Sequence, residues 1–449
     1  MKTYIYKSLA SVCLLLAGAS CSGMLDDINP KDKIDSSQLT DDDLSKVVNG
    51  VYATMESHLN NAWWDGDTKG ENFRSGPGGN LTDPHDMDPA STTVSSRWNN
   101  ILTSLKQVNF LVETFEANPE STSSVFRTAG GTAYFFRALL YYDMVVRWGK
   151  APILERRSYD KVPLSPEEDV WAFIFSDLTK AEELLPEFSD RFYVSKAACN
   201  ALQARAYLFH KDYAKAAEAA DKVISNHSFR FNATSETWAR NFTYNSNSSE
   251  LILALANKRT SSTILFYQYI NDVDGSWNYS ASHEAYASLY ANSTYGTADI
   301  RARAMFNTDA TRILKFPNGQ DGQFVTDENP SQNPIPVFRL PEMYLIKAEA
   351  LGASTGMTTL SEYMQNRYAS VSLPASMDAT AYQNLILDER HREFYAEGMR
   401  WFDIKRTGRL DLLTTLNGRT YLMYWPIPQS QIDLAGSDLY PQNPGYGGN

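Results

Sequence analysis

The chain has 449 residues, of which 43% are hydrophobic and 21% are charged, values that indicate a globular protein long enough to bury a large core. Its 53 acidic residues outnumber its 41 lysines and arginines, so the formal net charge is −12. A chain of this sign repels phosphate, which excludes nucleic acid as a partner.

The N-terminus predicts a lipoprotein signal peptide over residues 1–20. Lys2 and Lys7 precede an apolar run that ends at Ala19, an arrangement typical of a secretory signal. Cys21 directly follows small residues, as in the bacterial lipobox, and is the predicted lipidation site. The alternative is an ordinary signal peptide with a chance cysteine. After cleavage and lipidation only Cys199 remains as a thiol, so no intramolecular disulfide is expected, and its Ala-rich surroundings predict a small buried residue.

The segment after Cys21 is predicted as a tether, a helix and a long loop. Residues 21–39 are polar and irregular. Thr40 then caps a helix with three aspartates in its first turn, where the helix dipole favours negative charge. Residues 62–96 are dense in glycine, proline, aspartate and asparagine, which predicts a loop of a length usually associated with function.

The next third of the chain has strong helical periodicity. Apolar residues recur three and four positions apart in two stretches, 96–115 and 127–149, and Gly149 predicts the end of the second. Residues 195–226 form two predicted helices joined at "HKDY", with small residues such as Ala204 and Ala216 between bulky tyrosines. This alternation resembles the tetratricopeptide repeat; the alternative is any helical hairpin with alanine at the crossing. From about residue 232 to 341 the regularity fades, and helix returns at "PEMYLIKAEAL".

No motif for catalysis, metal or cofactor binding is complete. "GASTG" at residues 352–356 fits the nucleophile-elbow pattern, but a helix precedes it, and Gly352 is better interpreted as the end of that helix. The six histidines lack zinc-ligand spacing, and no phosphate- or dinucleotide-binding glycine loop occurs. "NDVDGS" and "DPHDMDP" have only part of a calcium loop, which leaves a structural calcium open. We expect no catalytic residue, no cofactor and no metal site.

The segment "LDERHREFYAEGMRWFDIKRTGRL", residues 387–410, is dense in charges of both signs. On one continuous helix, Arg392 and Arg400 would flank Glu393, Glu397 and Asp403, with Arg400 three positions from both Glu397 and Asp403. Aromatic residues interrupt the polar face, so part of this set must be buried, and buried charges persist only when paired. The segment is therefore predicted to brace a packed helix rather than to catalyse.

Four stretches together resemble the RagB/SusD family of outer-membrane lipoproteins. "DERHREFYAEGMRWFDIKRTGRL" is similar to the family's C-terminal signature of arginine, glutamate and glycine. "FFRALLYYDMVVRWGKAPIL", "FRLPEMYLIKAEAL" and "YWPIPQSQIDLAGSDLYPQNPGY" are similar to three further family segments, in the expected order.

The resemblance implies a mainly α SusD-like fold, with tetratricopeptide-like helix pairs as a scaffold and an irregular, loop-rich ligand-binding region. Residues 40–230 would form the N-terminal helical part and residues 231–449 the C-terminal part. It also implies a lipid-anchored protein at the surface of the outer membrane. There it would act as the lid of a SusC-like TonB-dependent transporter and pass oligosaccharides, or in some members peptides, into it.

A sugar offers C–H faces to aromatic rings and hydroxyls to short polar side chains, so its site should combine both on loops held by a scaffold. Two stretches qualify, one early and one in the irregular middle, which is where the resemblance implies the site. The candidate ligand-binding residues are Trp63, Trp64, Asp67, Arg74, Trp277, Tyr279, Tyr290 and Tyr295. Core packing is an equal alternative for Trp64 and Tyr290, and Trp98 and Tyr286 are assigned to the core.

These features predict a non-catalytic, glycan-binding surface lipoprotein. The alternatives are a peptide-binding protein of the same family and a surface glycosidase.

Overall fold

The computed structural model describes residues 39–79, 81, 85, 87–243, 247–257, 279–281, 289, 294–306, 313–316 and 333–446, excluding the side chains of 60–64 and 303. The predicted signal peptide, Cys21 and most of the tether lie outside the described residues. Trp277, Tyr286 and Tyr290 also lie outside them.

The described part of the chain is mainly helical, which confirms the predicted fold class. None of its helices combines the length and the apolar character needed to cross a bilayer. The helices are α1 (Asp41–Lys69), α2 (Thr92–Glu116), α3 (Ser124–Trp148), α4 (Glu167–Leu184), α5 (Lys196–His210), α6 (Tyr213–Ile224), α7 (Ser235–Ala239), α8 (Ala302–Met305), α9 (Leu340–Thr355), α10 (Met357–Gln365), α11 (Ala379–Phe394), α12 (Arg400–Thr407) and α13 (Gln429–Ala435).

Short strands join distant parts of the chain in antiparallel pairs. Within the described ranges each sheet has two strands: β1 with β5, β2 with β3, β4 with β7, and β6 with β8. The strands are β1 (Phe73–Ser75), β2 (Lys150–Pro152), β3 (Leu164–Pro166), β4 (Leu251–Leu255), β5 (Tyr279–Ala281), β6 (Gly296–Asp299), β7 (Ile335–Arg339) and β8 (Tyr368–Val371).

Antiparallel helix pairs form the scaffold. Helix α3 packs against both α2 and α4, α5 packs against α6, and α6 packs against α9. Ala204 and Ala216 are fully buried where α5 and α6 meet, as the tetratricopeptide-like alternation predicts. Cys199 is also buried and has no disulfide partner, and Trp98 lies in the core. The local helix signals of this region therefore gave the correct elements, although the helices α2 and α3 begin at Thr92 and Ser124, before the predicted stretches.

Helix α1 is longer than the sequence indicates. Thr40 caps it through a capping box with Asp43, as expected. The prediction that residues 62–96 are loop is wrong at both ends, because α1 continues to Lys69 through "WWDGDTK" and α2 begins at Thr92. Gly66 lies so close to the backbone of Gly398 that a Cβ there would come within 1.9 Å of its carbonyl oxygen. A distant contact thus stabilises a helical turn that local propensity disfavours.

The carboxyl end of α9 confirms the interpretation of "GASTG". The backbone leaves helical geometry at Gly352, where φ is 70° and ψ is 178°. Helix rather than strand precedes this glycine, so the strand–turn–helix of a nucleophile elbow does not form.

Most of residues 387–410 are buried and most of their charges are paired, but they do not form one helix. The chain breaks between α11 and α12, where Ala396 and Gly398 have φ values of 60° and 79°. Arg392 pairs with Glu389 at the predicted spacing. The predicted partners of Glu393 and Glu397 are wrong, because the cations that contact these carboxylates come from other elements.

Glu393 is the centre of a buried charge cluster. Its carboxylate accepts hydrogen bonds from Arg339 Nη1 at 2.6 Å, Arg367 Nε at 2.8 Å and Arg301 Nη1 at 3.1 Å. Burial opposes ionisation, yet these three guanidinium groups hold the pKa of Glu393 well below its usual value. We call this set the Glu393 cluster; its members are Glu250, Arg301, Lys315, Arg339, Arg367, Glu389, Glu393 and Glu397.

Candidate ligand-binding site

The pairing of β1 with β5 brings the early and middle candidate segments together. Arg74 lies opposite Ser280, and Ser75 lies opposite Tyr279. Arg74 Nε also donates a hydrogen bond to the carbonyl oxygen of Ala281 at 2.9 Å. Side chains alternate along a strand, so Arg74 and Tyr279 project from opposite faces of this small sheet. Two of the eight candidates, more than 200 residues apart in sequence, are thus neighbours.

Tyr279 is held in a fixed orientation by an aromatic neighbour that the sequence analysis missed. Its ring stacks on Phe73 with the centroids 5.5 Å apart and the planes 22° apart. Phe73 is buried and also meets Tyr395 edge-on at 6.1 Å. The alternation of Asn72, Phe73 and Arg74 is a possible strand signal, but three residues are too few to establish a period.

Asn72 fastens β1 to the C-terminal part of the chain. Tyr395 donates its hydroxyl to the carbonyl oxygen of Asn72 at 2.7 Å. The side-chain oxygen of Asn72 lies 2.5 Å from His391 Nε2, and its amide donates to Asp67. Because Asn72 is 1% exposed, these contacts hold the strand from inside the protein.

Asp67 is a structural residue, which corrects the expectation that it contacts a ligand. Its side chain is fully buried. The carboxylate accepts hydrogen bonds from the backbone N–H of Ala396 at 3.1 Å and from that of Gly398, besides the Asn72 amide. Burial is the main cause that raises its pKa to about 6. The carboxylate thus joins the end of α1 to the break between α11 and α12.

Asp67→Asn should change how stability depends on pH. The folded-state pKa of about 6 exceeds the reference value of 3.8, so the favourable contribution of this group is complete below pH 3.8 and is lost as pH rises through 6. Chemical denaturation of both proteins at several pH values measures the effect. Between pH 4 and pH 7 the stability advantage of the wild type over the variant should fall by about 2–3 kcal/mol. An advantage that stays constant with pH would contradict the raised pKa.

The described part of the structure does not place the remaining candidates at the β1–β5 pair. Trp63 and Trp64 lie on α1, six and five residues before its end, and their side chains are outside the described part of the structure. Tyr295 precedes β6 and is half-buried against the apolar cluster of α9, α10 and α11. Its carbonyl oxygen accepts a hydrogen bond from the backbone N–H of Ser372 at 2.8 Å. Tyr295 is therefore associated with the β6–β8 pair rather than with β1 and β5.

The described residues contain no group of three or more His, Cys, Asp or Glu side chains placed to hold a metal ion. What the β1–β5 region does offer is an aromatic stack, a guanidinium group and backbone held by buried hydrogen bonds. Such an arrangement can stack on a ligand and donate hydrogen bonds to it.

Two family models match consecutive parts of the chain. One is described as the SusD family and matches residues 210–416. The other is described as "Starch-binding associating with outer membrane" and matches residues 24–208. Together they span nearly all of the chain after the predicted signal peptide.

Curated proteins and solved structures give the same picture. A SusD-like protein of Formosa agariphila is 27% identical over 99% of this chain and 100% of its own. The starch-binding protein SusD of Bacteroides thetaiotaomicron is 31% identical over 36% of this chain and 30% of its own. The crystal structure of a putative sugar binding protein from Bacteroides vulgatus matches with a TM-score of 0.76 and 21% identity, covering 92% of this chain and 100% of its own.

Proposed function

Because the chain belongs to the SusD family, we propose that it is a non-catalytic surface lipoprotein that captures oligosaccharides and passes them to a TonB-dependent transporter of the outer membrane. The observation that carries this proposal is the β1–β5 pair, which joins two aromatic-rich segments on a rigid helical scaffold. The match to a model described as starch-binding and associating with the outer membrane supports both the ligand class and the location.

The ligand site would be centred on Tyr279, and Trp63, Trp277 and Arg74 remain its candidate contacts, although Arg74 projects from the other face of the sheet. Stacking on a sugar requires a ring that is already oriented, and the contact with Phe73 supplies that orientation for Tyr279. Arg74 is half-buried and its guanidinium group can donate to hydroxyls beyond its bond to Ala281.

The location follows from Cys21. Diacylglyceryl transfer to this thiol after cleavage of residues 1–20 would anchor the chain to the membrane, because a lipid anchor needs no membrane-spanning helix. Labelling of cells with a fatty acid should mark the wild type and leave a Cys21→Ser variant unmarked.

Calorimetry with a panel of neutral oligosaccharides tests the site. Tyr279→Ala should weaken binding of the sugar that the wild type recognises by roughly tenfold, and the Trp63→Ala/Trp277→Ala double variant should abolish it. Tyr159→Ala is the matched control, because Tyr159 is fully exposed on the β2–β3 loop. Equal affinities for the Tyr279 and Tyr159 variants would place the site elsewhere.

The same calorimetry with peptides, and an assay for reducing ends with polysaccharides, separate the alternatives. Binding of peptides and of no oligosaccharide would indicate a peptide-uptake member of the family. Release of reducing ends from polysaccharides by the purified protein would indicate a glycosidase and would contradict the proposal.

A further inference from the structure

A second crevice opens on a different part of the scaffold from β1 and β5. Its volume is about 170 Å³, and it lies where the ends of α3, α4 and α5 meet α12 and the 3-10 turn Thr420–Met423. Its walls are largely apolar and aromatic. The lining residues include Trp171, Phe209, Phe402, Tyr424, Glu167 and Lys405.

The crevice contains a lysine amine without a counter-ion in the described structure. Lys405 Nζ donates a hydrogen bond to the carbonyl oxygen of Val146 at 2.7 Å and lies 3.8 Å from the ring centroid of Tyr424. Within the described ranges, no carboxylate oxygen lies within 4.0 Å of this amine. Buried ammonium groups are normally paired with carboxylates, so this one is an exception.

The carboxylate of Glu167, which lines the same crevice, already has hydrogen-bond donors. Glu167 accepts a hydrogen bond from the Tyr424 hydroxyl at 2.8 Å and one from the Trp171 indole at 3.3 Å. Its charge still favours the ammonium form of Lys405, while burial and the charge of Arg147 oppose it. Burial is the largest of these effects, and the pKa of Lys405 is lowered to about 7. The charged or titratable groups around the crevice are Arg147, Glu167, Lys211, Lys405, Arg406 and Tyr424.

We propose that this crevice is a binding site for a uronate, a sugar ring that carries one carboxylate. The ligand carboxylate would take the vacant place beside Lys405, and its ring would lie against Tyr424 and the neighbouring aromatic walls. Among the described cations that line the crevice, Arg406 is paired with Glu349 and Asp403 and Lys211 is exposed, which leaves Lys405 to match a single negative charge. A phosphate dianion would need more than one cation and would be repelled by Glu167, because that carboxylate lies at the same crevice.

The site is independent of the proposed site at β1 and β5. None of the crevice residues belongs to either strand. Variants of Tyr279 should therefore leave uronate binding unchanged, and variants of Lys405 should leave the affinity for neutral oligosaccharides unchanged.

Titration of the wild type with sodium D-glucuronate, D-glucose and phenylacetate tests the ligand class. We expect saturable binding of glucuronate, with glucose and phenylacetate at least tenfold weaker, because each lacks one half of the recognised chemistry. Glucose binding as tightly as glucuronate would overturn the role of the amine. Phenylacetate binding as tightly as glucuronate would overturn the recognition of a sugar ring.

The Lys405→Met variant tests whether the Lys405 amine binds the ligand carboxylate. This variant should weaken glucuronate binding roughly tenfold or more, because a charge-assisted hydrogen bond is lost. Lys46→Met is the matched control, since Lys46 is exposed on the first turn of α1, and its affinity should equal that of the wild type. Equal affinity for the Lys405 and Lys46 variants would overturn the proposal.

A pH measurement on the unaltered protein does not depend on the folding of a variant. Binding of the anion should be accompanied by proton uptake, because the carboxylate stabilises the ammonium form of Lys405. Above pH 7 the affinity for glucuronate should fall roughly tenfold for each pH unit. An affinity that is constant from pH 6 to pH 8.5 would overturn the proposal.

Discussion

Replacing Glu393 with glutamine should lower the free energy of unfolding by about 3–5 kcal/mol, the typical cost of removing one partner from a buried ionic group. Glutamine keeps the size of the side chain but only one acceptor oxygen, and both oxygens of Glu393 accept from guanidinium groups, so the loss combines the charge with a hydrogen-bond acceptor. Three guanidinium groups, those of Arg301, Arg339 and Arg367, would lose a shared negative neighbour in a region from which water is excluded.

Chemical denaturation at pH 7 measures this effect. Asp411→Asn is the control, because Asp411 pairs with Arg409 at the surface and its side chain is 63% exposed. Its unfolding midpoint should match that of the wild type, because exposed ion pairs contribute little. If Glu393→Gln unfolded at the same denaturant concentration as this control, the remaining glutamates of the Glu393 cluster would be sufficient to neutralise the arginines.

Two glycine-to-alanine substitutions in α1 should have opposite effects on stability. Gly66→Ala would place a Cβ 1.9 Å from the carbonyl oxygen of Gly398 and 2.4 Å from its carbonyl carbon. Both of these are backbone atoms, so α1 and the break before α12 must separate, at a cost of about 3 kcal/mol or more. Gly50→Ala meets nothing within 4 Å and should stabilise the helix by about 0.5–1 kcal/mol.

Thermal unfolding of the two variants beside the wild type gives a sign as well as a magnitude. The Gly66 variant should melt below the wild type and the Gly50 variant above it. A Gly66 variant as stable as the wild type would mean that the end of α1 can move away from Gly398 without loss.

The helical scaffold could be predicted from the sequence because its signals are local. Apolar spacing, small residues at crossings and caps such as Thr40 all act within a few positions of one another. The end of α1 was missed for the opposite reason. Gly66 and Asp67 favour a loop locally, and what makes them helical is contact with residues 396–398, more than 300 positions away.

The proximity of the two candidate segments was predicted, but their contacts were not. The association of an early and a middle segment followed from the family resemblance, and the β1–β5 pair provides it for Arg74 and Tyr279. The register and the stacking on Phe73 could not be predicted, because strands of three residues contain no usable period. Likewise, burial of the charges near residue 393 was predictable from their aromatic neighbours, whereas their partners at 301, 339 and 367 leave no sign in the local sequence.

The order in which the Glu393 cluster leaves the ribosome has a consequence for biogenesis. A nascent chain presents all three arginines, with Glu250 and Asp299 before them, ahead of the carboxylate that the arginines share, so the cluster cannot be completed until residue 393 has been synthesised. The N-terminal helix pairs can associate earlier, because their contacts are close in sequence. A chain whose translation stopped before Glu393 would therefore have folded N-terminal helix pairs and an incompletely folded C-terminal part. Quality-control proteases could degrade such a chain.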